Sequence, residues 1–195
     1  VYSYFKEIDF GTNLANGPFA QSGIGQAFAQ ARDAADPNGV FLTGFAPYLP
    51  SYNDQAAFLG APVFVDGRRV GVLISQIPID QIQLVVNFRD NWDAAGLGLT
   101  GEAQLVDRDG RHLISSRRTA NPAEYTAQLR RAGFPAEVTE AVQLRSSSIG
   151  TVADRTQEMA AALEGQTLSG LARDYLGNPV IYAAAPLDIL NQRYA

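Results

Sequence analysis

The chain has 195 residues, no cysteine, one histidine and a formal net charge of −5 at pH 7. The absence of cysteine excludes disulfides and thiolate metal sites, and the acidic balance argues against nucleic-acid binding, which needs clustered Lys and Arg. No apolar run of the sequence approaches the roughly 20 residues that span a bilayer. A chain of this length can form one large domain or two small ones.

The chain opens with a strand pattern and continues into a helix. Residues 1–5 are rich in aromatic and β-branched side chains, which favour a strand. Ser22 is a candidate N-cap, and Ile24, Phe28 and Ala31 follow it at the i, i+4, i+7 spacing of one helical face. A proline-containing turn segment then predicts the end of this helix.

Three strands and a connecting helix are expected in the rest of the first half. Residues 40–45 have a strand pattern, and residues 57–65 and 69–77 have two more, joined by the turn pair Asp66-Gly67. Residues 80–87 carry apolar side chains at helical spacing and predict the connecting helix.

The middle of the chain contains a glycine-rich segment. Residues 96–101 contain Gly-x-Gly-x-x-Gly, which in dinucleotide-binding folds follows a strand and precedes a helix. Here a helical pattern comes before the glycines and a strand pattern comes after them, so we expect turn-forming glycines and no cofactor. Residues 103–117 around Asp109-Gly110 predict a β-hairpin that begins a second module.

The second half predicts three helices and a closing hairpin. The helices begin near Asn121-Pro122, near Phe134-Pro135 and at residue 156, and residues 167–175 and 180–186 form the hairpin. Tight turns join the strand pairs and helical crossovers are few, which is typical of an α+β fold with antiparallel sheets.

Short motifs in a fixed order cover nearly the whole chain. They are residues 5–14 (FKEIDFGTNL), Gly17-Pro18, Tyr48-x-Pro50-Ser51, residues 56–58 with Pro62, residues 69–73 (RVGVL), residues 96–102 (GLGLTGE), Asp109-Gly110, residues 115–117, residues 174–177 (DYLG), Pro179-Val180 and residues 185–187. In this order they resemble the double Cache sensor domains of bacterial transmembrane receptors.

The resemblance implies two PAS-like modules, each an antiparallel sheet flanked by helices, stacked along a long N-terminal helix that would precede Val1. It assigns residues 1–88 to an N-terminally incomplete, membrane-distal module and residues 89–195 to a membrane-proximal one. It also implies a non-catalytic, extracytoplasmic (periplasmic or extracellular) sensing role in a receptor of the cytoplasmic membrane. Such receptors carry cyclase, diguanylate cyclase, kinase or chemotaxis output domains. Both ends of the chain interrupt a pattern, so we expect it to be a piece of a longer protein.

The resemblance also implies a ligand pocket in the distal module, walled by the sheet and by the long loop before its hairpin. The residues at those positions are Phe45, Tyr48, Ser51, Tyr52, Phe58 and Gln76. The tyrosines offer aromatic walls with hydroxyl groups. The alternative, that they only anchor a proline-rich loop to the sheet, stays open at this point.

Many members of the resembled family bind amino acids, using an Asp for the ammonium group and an Arg with aromatic partners for the carboxylate. Gln76 stands where that Asp would be, no Arg-x-Trp-like pair precedes Gly39, and only Tyr48 matches the motif. A neutral Gln cannot supply a charge-assisted bond to an ammonium group. These residues therefore favour a neutral or anionic metabolite over an amino acid.

Enzymatic readings find little support. His112 is the only histidine, so no His-based metal site can form, and we expect it on an exposed or half-buried strand face. No Gly-x-Ser-x-Gly elbow is present, and no catalytic residue or metal is expected. An ion pair between Arg117 and Asp174 is a further expectation for the second module. The alternative to a sensing function is a structural or dimerisation ectodomain with a vestigial pocket. The sequence is also compatible with a homodimer.

Overall fold

The computed structural model describes residues 7–195, and the strand expected at residues 1–5 lies outside the described residues. Contacts divide the chain into two compact units. The first unit ends at Ile79 and also includes Ile189–Gln192, whereas the second comprises Asp80–Asp188 and Arg193–Ala195. Among the described residues, no helix is long and apolar enough to cross a membrane.

An antiparallel sheet and one helix form the first unit. Its elements are α1 (Gly23–Asp33), β1 (Phe41–Leu42), β2 (Ala46–Tyr48), β3 (Asp54–Val65) and β4 (Arg68–Pro78). Strand β3 is central, because it pairs with β1, β2 and β4, and every pairing is antiparallel. Asp66 and Gly67 join β3 to β4 with φ of 51° and 75°, the left-handed backbone that a tight hairpin turn requires. The predicted hairpin is confirmed.

Helix α1 packs on one face of β3. Gly60 lies so close to this helix that a Cβ atom there would be 2.6 Å from the carbonyl oxygen of Ala27. Ile24 and Ala31 are buried, as the helical spacing predicts, while Phe28 is half-buried. The core of the unit is an apolar cluster of Phe19, Ile24, Ala27, Tyr48, Ala56 and Phe58.

The second unit combines helices with short hairpins. Its elements are α2 (Ile79–Val86, whose first residue belongs to the first unit), α3 (Pro122–Arg131), α4 (Ala136–Arg145), α5 (Gln157–Leu163), β5 (Leu168–Arg173) and β6 (Pro179–Ala184). The last two strands, β7 (Leu187–Ile189) and β8 (Gln192–Tyr194), are divided between the units, since Ile189 and Gln192 belong to the first. Tyr125, Leu129, Val142 and Val152 form a buried cluster at its centre. The three helices and the β5–β6 hairpin predicted for the second half are present, and the α+β class is confirmed.

The central hairpin is shorter than its sequence predicts. The chain reverses tightly at Gly110, but in residues 7–195 this segment forms only isolated bridges, such as that between Val106 and His112. Within the hairpin, the N–H of Asp107 donates to the carbonyl of Arg111 at 3.0 Å and that of Leu113 to the carbonyl of Leu105 at 2.8 Å, while other backbone groups bond to distant parts of the chain. The N–H of Val106 donates to the carbonyl of Ala195 at 2.7 Å, and that of His112 donates to the carbonyl of Val152 at 2.9 Å. Pairing is therefore divided among three segments, and no long two-stranded ladder forms.

Candidate functional site

The six predicted ligand-binding residues lie on or beside β2, β3 and β4 of the first unit. Phe58 stands opposite Gln76 in the β3–β4 register, and Tyr48 stands opposite Asp54, four residues before Phe58. Side chains alternate along a strand, so Tyr48, Phe58 and Gln76 point to the same face of the sheet. This is also the face that carries Gly60 and packs against α1.

Tyr48 is at the centre of an aromatic cluster. Its side chain is buried, and its ring lies edge-on to Phe58 and Phe19, with centroid distances of 4.8 and 6.0 Å. The hydroxyl donates a hydrogen bond of 2.5 Å to Oδ2 of Asp9. Burial raises the pKa of Tyr48, and the hydrogen bond and the negative charge of Asp9 raise it further. The hydroxyl is therefore a neutral donor at physiological pH.

Asp9 is a carboxylate that the sequence reasoning missed. It is only 6% exposed, and a buried carboxylate needs hydrogen-bond donors, of which the Tyr48 hydroxyl is one. In the sequence it is one of several turn formers, and its carbonyl does accept a turn bond from the Thr12 N–H at 3.0 Å. Its presence in the FKEIDFGTNL motif was the one signal that set it apart.

Ser51 and Gln76 form a second, more exposed pair. The Gln76 side-chain amide donates to Oγ of Ser51 at 3.0 Å. Ser51 ends a 3₁₀ turn, and Tyr52 follows it with φ of 56° and 95% exposure, so the ring of Tyr52 is not brought to the other residues. Phe45 is half-buried just before β2. The structure thus joins Tyr48 with Phe58 and Ser51 with Gln76.

A cavity of about 820 Å³ opens in the second unit, at a place where no site residue was predicted. Its lining residues are Arg111, Arg131, Ala132, Gly133, Phe134, Pro135, Val138, Thr151, Ala153, Arg155, Thr156, Asp174, Tyr175, Leu176 and Gly177. These residues come from four separate segments, and only the last of them, residues 174–177 (DYLG), belongs to a motif named above.

The prediction of an ion pair between Arg117 and Asp174 is wrong, because the neighbouring arginine makes it. Arg118 faces Asp174 instead, with Nη2 at 3.5 Å from Oδ2. Arg117 donates to the carbonyls of Gly98 and Gly101 at 2.9 and 2.6 Å. Both arginines lie in a 3₁₀ turn, where consecutive side chains point about 120° apart because there are about three residues per turn.

The expected exposure of His112 is also wrong. Its side chain is fully buried, with Nδ1 at 3.0 Å from Oγ of Ser148 and the ring edge-on to Tyr175 at 5.0 Å. In the described part of the chain, Nε2 has no hydrogen-bond partner. Burial lowers the pKa of His112 to about 3, so the imidazole is neutral at physiological pH.

Comparison with known proteins gives a likeness in fold. No protein-family model and no curated protein matches the chain. The ligand-binding domain of the amino acid chemoreceptor PctC of Pseudomonas aeruginosa, in complex with GABA, is 14% identical, with a TM-score of 0.51 over 98% of this chain and 64% of that one. The ligand-binding domain of the Pseudomonas fluorescens chemoreceptor CtaA, in complex with L-serine, is 14% identical, with a TM-score of 0.47 over 97% and 61%.

The chain therefore spans less than two thirds of the length of either domain. At this level of identity the PctC likeness concerns the fold alone. The chain has the mixed α+β fold, with antiparallel sheets, of a chemoreceptor ligand-binding domain.

The preference for a neutral or anionic metabolite over an amino acid is wrong. The PctC structure holds GABA, an amino acid. The preference depended on Gln76 as the group that meets an ammonium ion. Gln76 bonds to Ser51 instead, and the Asp9 carboxylate lies buried against Tyr48 on the same unit, so a negative charge is present after all.

Proposed function

We propose that this chain is the small-molecule sensing part of a bacterial transmembrane receptor, a double Cache domain that binds an amino acid. The observation that carries the proposal is the fold likeness to the PctC ligand-binding domain, which extends over 98% of the chain. The ordered motifs of the sequence support the double Cache type. The sensing part is non-catalytic and extracytoplasmic.

Residues 1–88 are proposed as the membrane-distal module and residues 89–195 as the membrane-proximal one. The division of contacts at Ile79 and Asp80 supports two modules with a boundary in this region. An amino acid that binds one conformation of the distal module more tightly shifts its population, and only such differential affinity can send a signal onward. The membrane-proximal module then passes the shift toward a transmembrane helix.

The proposed ligand site is the edge of the sheet face shared by Tyr48, Phe58 and Gln76, with Phe45 and Ser51 beside it. The Asp9 carboxylate supplies a negative charge for an ammonium group. Gln76 bonds to Ser51 through one amide hydrogen, and its second is a donor suited to a ligand carboxylate. An amino acid presents both of these charges within a few bonds of each other.

The proposal is tested by calorimetry and thermal unfolding of the purified chain with GABA, L-serine, L-alanine, L-valine and L-arginine. Butyrate and n-butylamine are the matched controls, since each keeps the carbon chain of GABA and only one of its charges. A ligand at a hundredfold excess over its Kd stabilises the folded chain by about 2.7 kcal/mol. We expect at least one amino acid to raise the Tm and both single-charge controls to leave it unchanged.

Gln76→Ala locates the site, because Gln76 is exposed and its removal leaves the core intact. The matched control is Ser75→Ala, an exposed neighbour on β4 whose side chain points to the opposite face. We expect Gln76→Ala to weaken amino acid binding by about fivefold or more and the control to have no effect. Binding of no amino acid by a chain that purifies as a dimer would favour the structural or dimerisation reading instead.

A further inference from the structure

We propose that the cavity of the second unit is an additional ligand site, which binds a small carboxylate carrying an aromatic or aliphatic group. Its volume of about 820 Å³ is within the range of cavities that enclose small organic molecules. The inference concerns a unit other than the one proposed to bind the amino acid.

The inner wall of the cavity is apolar and firmly supported. Phe134, Val138, Tyr175 and Leu176 line it and pack against the buried cluster of this unit. The rings of Phe134 and Tyr175 meet at 88° with their centroids 6.3 Å apart. Side chains fixed in this way present a preformed apolar surface, which favours binding of a ligand with an apolar part.

The rim of the cavity is positively charged, although the chain as a whole carries a net charge of −5. Three arginines line the cavity, and Asp174 is the one acidic residue among its lining. The Asp174 carboxylate is already engaged, with the N–H groups of Leu176 and Asn178 donating to Oδ1 at 3.0 and 2.8 Å and Arg118 at 3.5 Å from Oδ2. It therefore offers little to a cation, and an anion is the better match.

The arginines are suited to bind a carboxylate. Arg131 uses Nε in a bond of 3.2 Å to the carbonyl of Ala127, and its terminal nitrogens are separate donors. Arg111 pairs with Asp109 at 3.1 Å, but both side chains are at least half exposed, and such a surface pair contributes under about 1 kcal/mol. A ligand carboxylate can displace Asp109 from Arg111. Guanidinium groups recognise carboxylates through two parallel hydrogen bonds, which gives the site its preference for this class.

The probe for this site is 3-phenylpropanoate, followed by amide chemical shifts of the whole chain in NMR titrations. The matched controls are 3-phenylpropanamide, which lacks the charge, and inorganic phosphate, which lacks the apolar group. We expect 3-phenylpropanoate to shift the amide signals of residues 131–134, 151–156 and 174–177 and to bind about tenfold more tightly than either control. Equal binding of acid and amide, shifts confined to other residues, or no binding at millimolar concentration would each overturn the proposal.

Variants test the arginine rim. Arg131→Gln and Arg155→Gln alter exposed side chains and should each weaken 3-phenylpropanoate binding by about tenfold. Arg145→Gln, at the exposed end of α4 and outside the cavity, is the matched control and should bind like the unaltered chain. Ala132→Trp places a large ring in the cavity from an exposed position and should abolish binding. An equal loss in Arg145→Gln would overturn the proposal.

This experiment is independent of the amino acid site. The amide signals of residues 131–177 report on the second unit whether or not an amino acid binds the first unit. Gln76→Ala should leave 3-phenylpropanoate binding unchanged, since Gln76 belongs to the other unit. If Gln76→Ala weakens both ligands equally, the carboxylate has bound at the first site and the additional site is refuted.

Discussion

Acid should destabilise the second unit through His112. This side chain is fully buried, its Nδ1 lies 3.0 Å from Oγ of Ser148, and Nε2 has no hydrogen-bond partner among the described residues. A protonated ring would carry a charged N–H at Nε2 with nothing to receive its hydrogen bond. The folded chain therefore resists protonation of His112, whereas the unfolded chain does not.

The size of the effect follows from the pKa. Burial lowers the pKa of His112 from its ordinary value of 6.5 to about 3. Below pH 6.5 the unfolded chain takes up a proton that the folded chain does not, so this stability is present above pH 6.5 and is lost as the pH falls toward 3. Between pH 7 and pH 4 the expected loss from this one group is about 3 kcal/mol.

The assay is urea unfolding followed by tryptophan fluorescence. Trp92 is the only tryptophan and is buried in the second unit, so its emission reports on the unit that contains His112. His112→Asn is the comparison, because Asn does not titrate and its amide can bond to Ser148. Between pH 7 and pH 4, the unaltered chain should lose about 3 kcal/mol more than the variant. Equal losses in the two proteins would refute the reasoning.

Two further predictions concern packing and alkaline pH. Gly60→Ala should destabilise the first unit by about 1–3 kcal/mol, because the new Cβ would lie 2.6 Å from the carbonyl oxygen of Ala27. Gly71→Ala, with no described heavy atom within 4 Å of the new Cβ, should have no such cost, and an equal drop in Tm for both would contradict this. Burial raises the pKa of Tyr125 to about 12 from 10, so the unfolded chain releases this proton first and stability falls between pH 10 and pH 12. Tyr125→Phe removes the 3.0 Å hydrogen bond to the Tyr175 hydroxyl and should lower the free energy of unfolding at pH 7 by about 1 kcal/mol. In urea unfolding above pH 10, the stability of this variant should fall less steeply with pH than that of the unaltered chain.

Elements that depend on neighbouring residues were predictable from the sequence. Asn121 caps α3 by accepting the N–H of Glu124 at 3.4 Å, and Thr156 caps α5 by accepting the N–H of Met159 at 3.3 Å. Each of these hydrogen bonds joins residues three positions apart, and the turn between β3 and β4 consists of two adjacent residues. Signals of this kind are complete within a short window of sequence, so helix starts and hairpin turns were found close to their observed positions.

Burial and pairing over long distances were not predictable. The hydrogen bond from Tyr48 to Asp9 joins residues 39 positions apart, and the sequence around neither residue indicates that the carboxylate is buried. The central hairpin also pairs with distant segments, since Val106 exchanges backbone hydrogen bonds with Ala195 and His112 donates to Val152. His112 lies in a segment that predicts an exposed or half-exposed strand face, but the backbone of Val152 and the ring of Tyr175, which come from distant segments, contact it.

The sequence by itself determined the α+β class, the order of the elements and the resemblance to sensor domains, since these rest on local patterns and on motif order. Only the tertiary structure decided which side chains meet. It buried the Asp9 carboxylate against the Tyr48 hydroxyl, and it assembled a cavity from four separate segments. A cavity forms where segments from different parts of the chain pack together, and the free energy of that packing comes from burial of apolar residues that are far apart in the sequence.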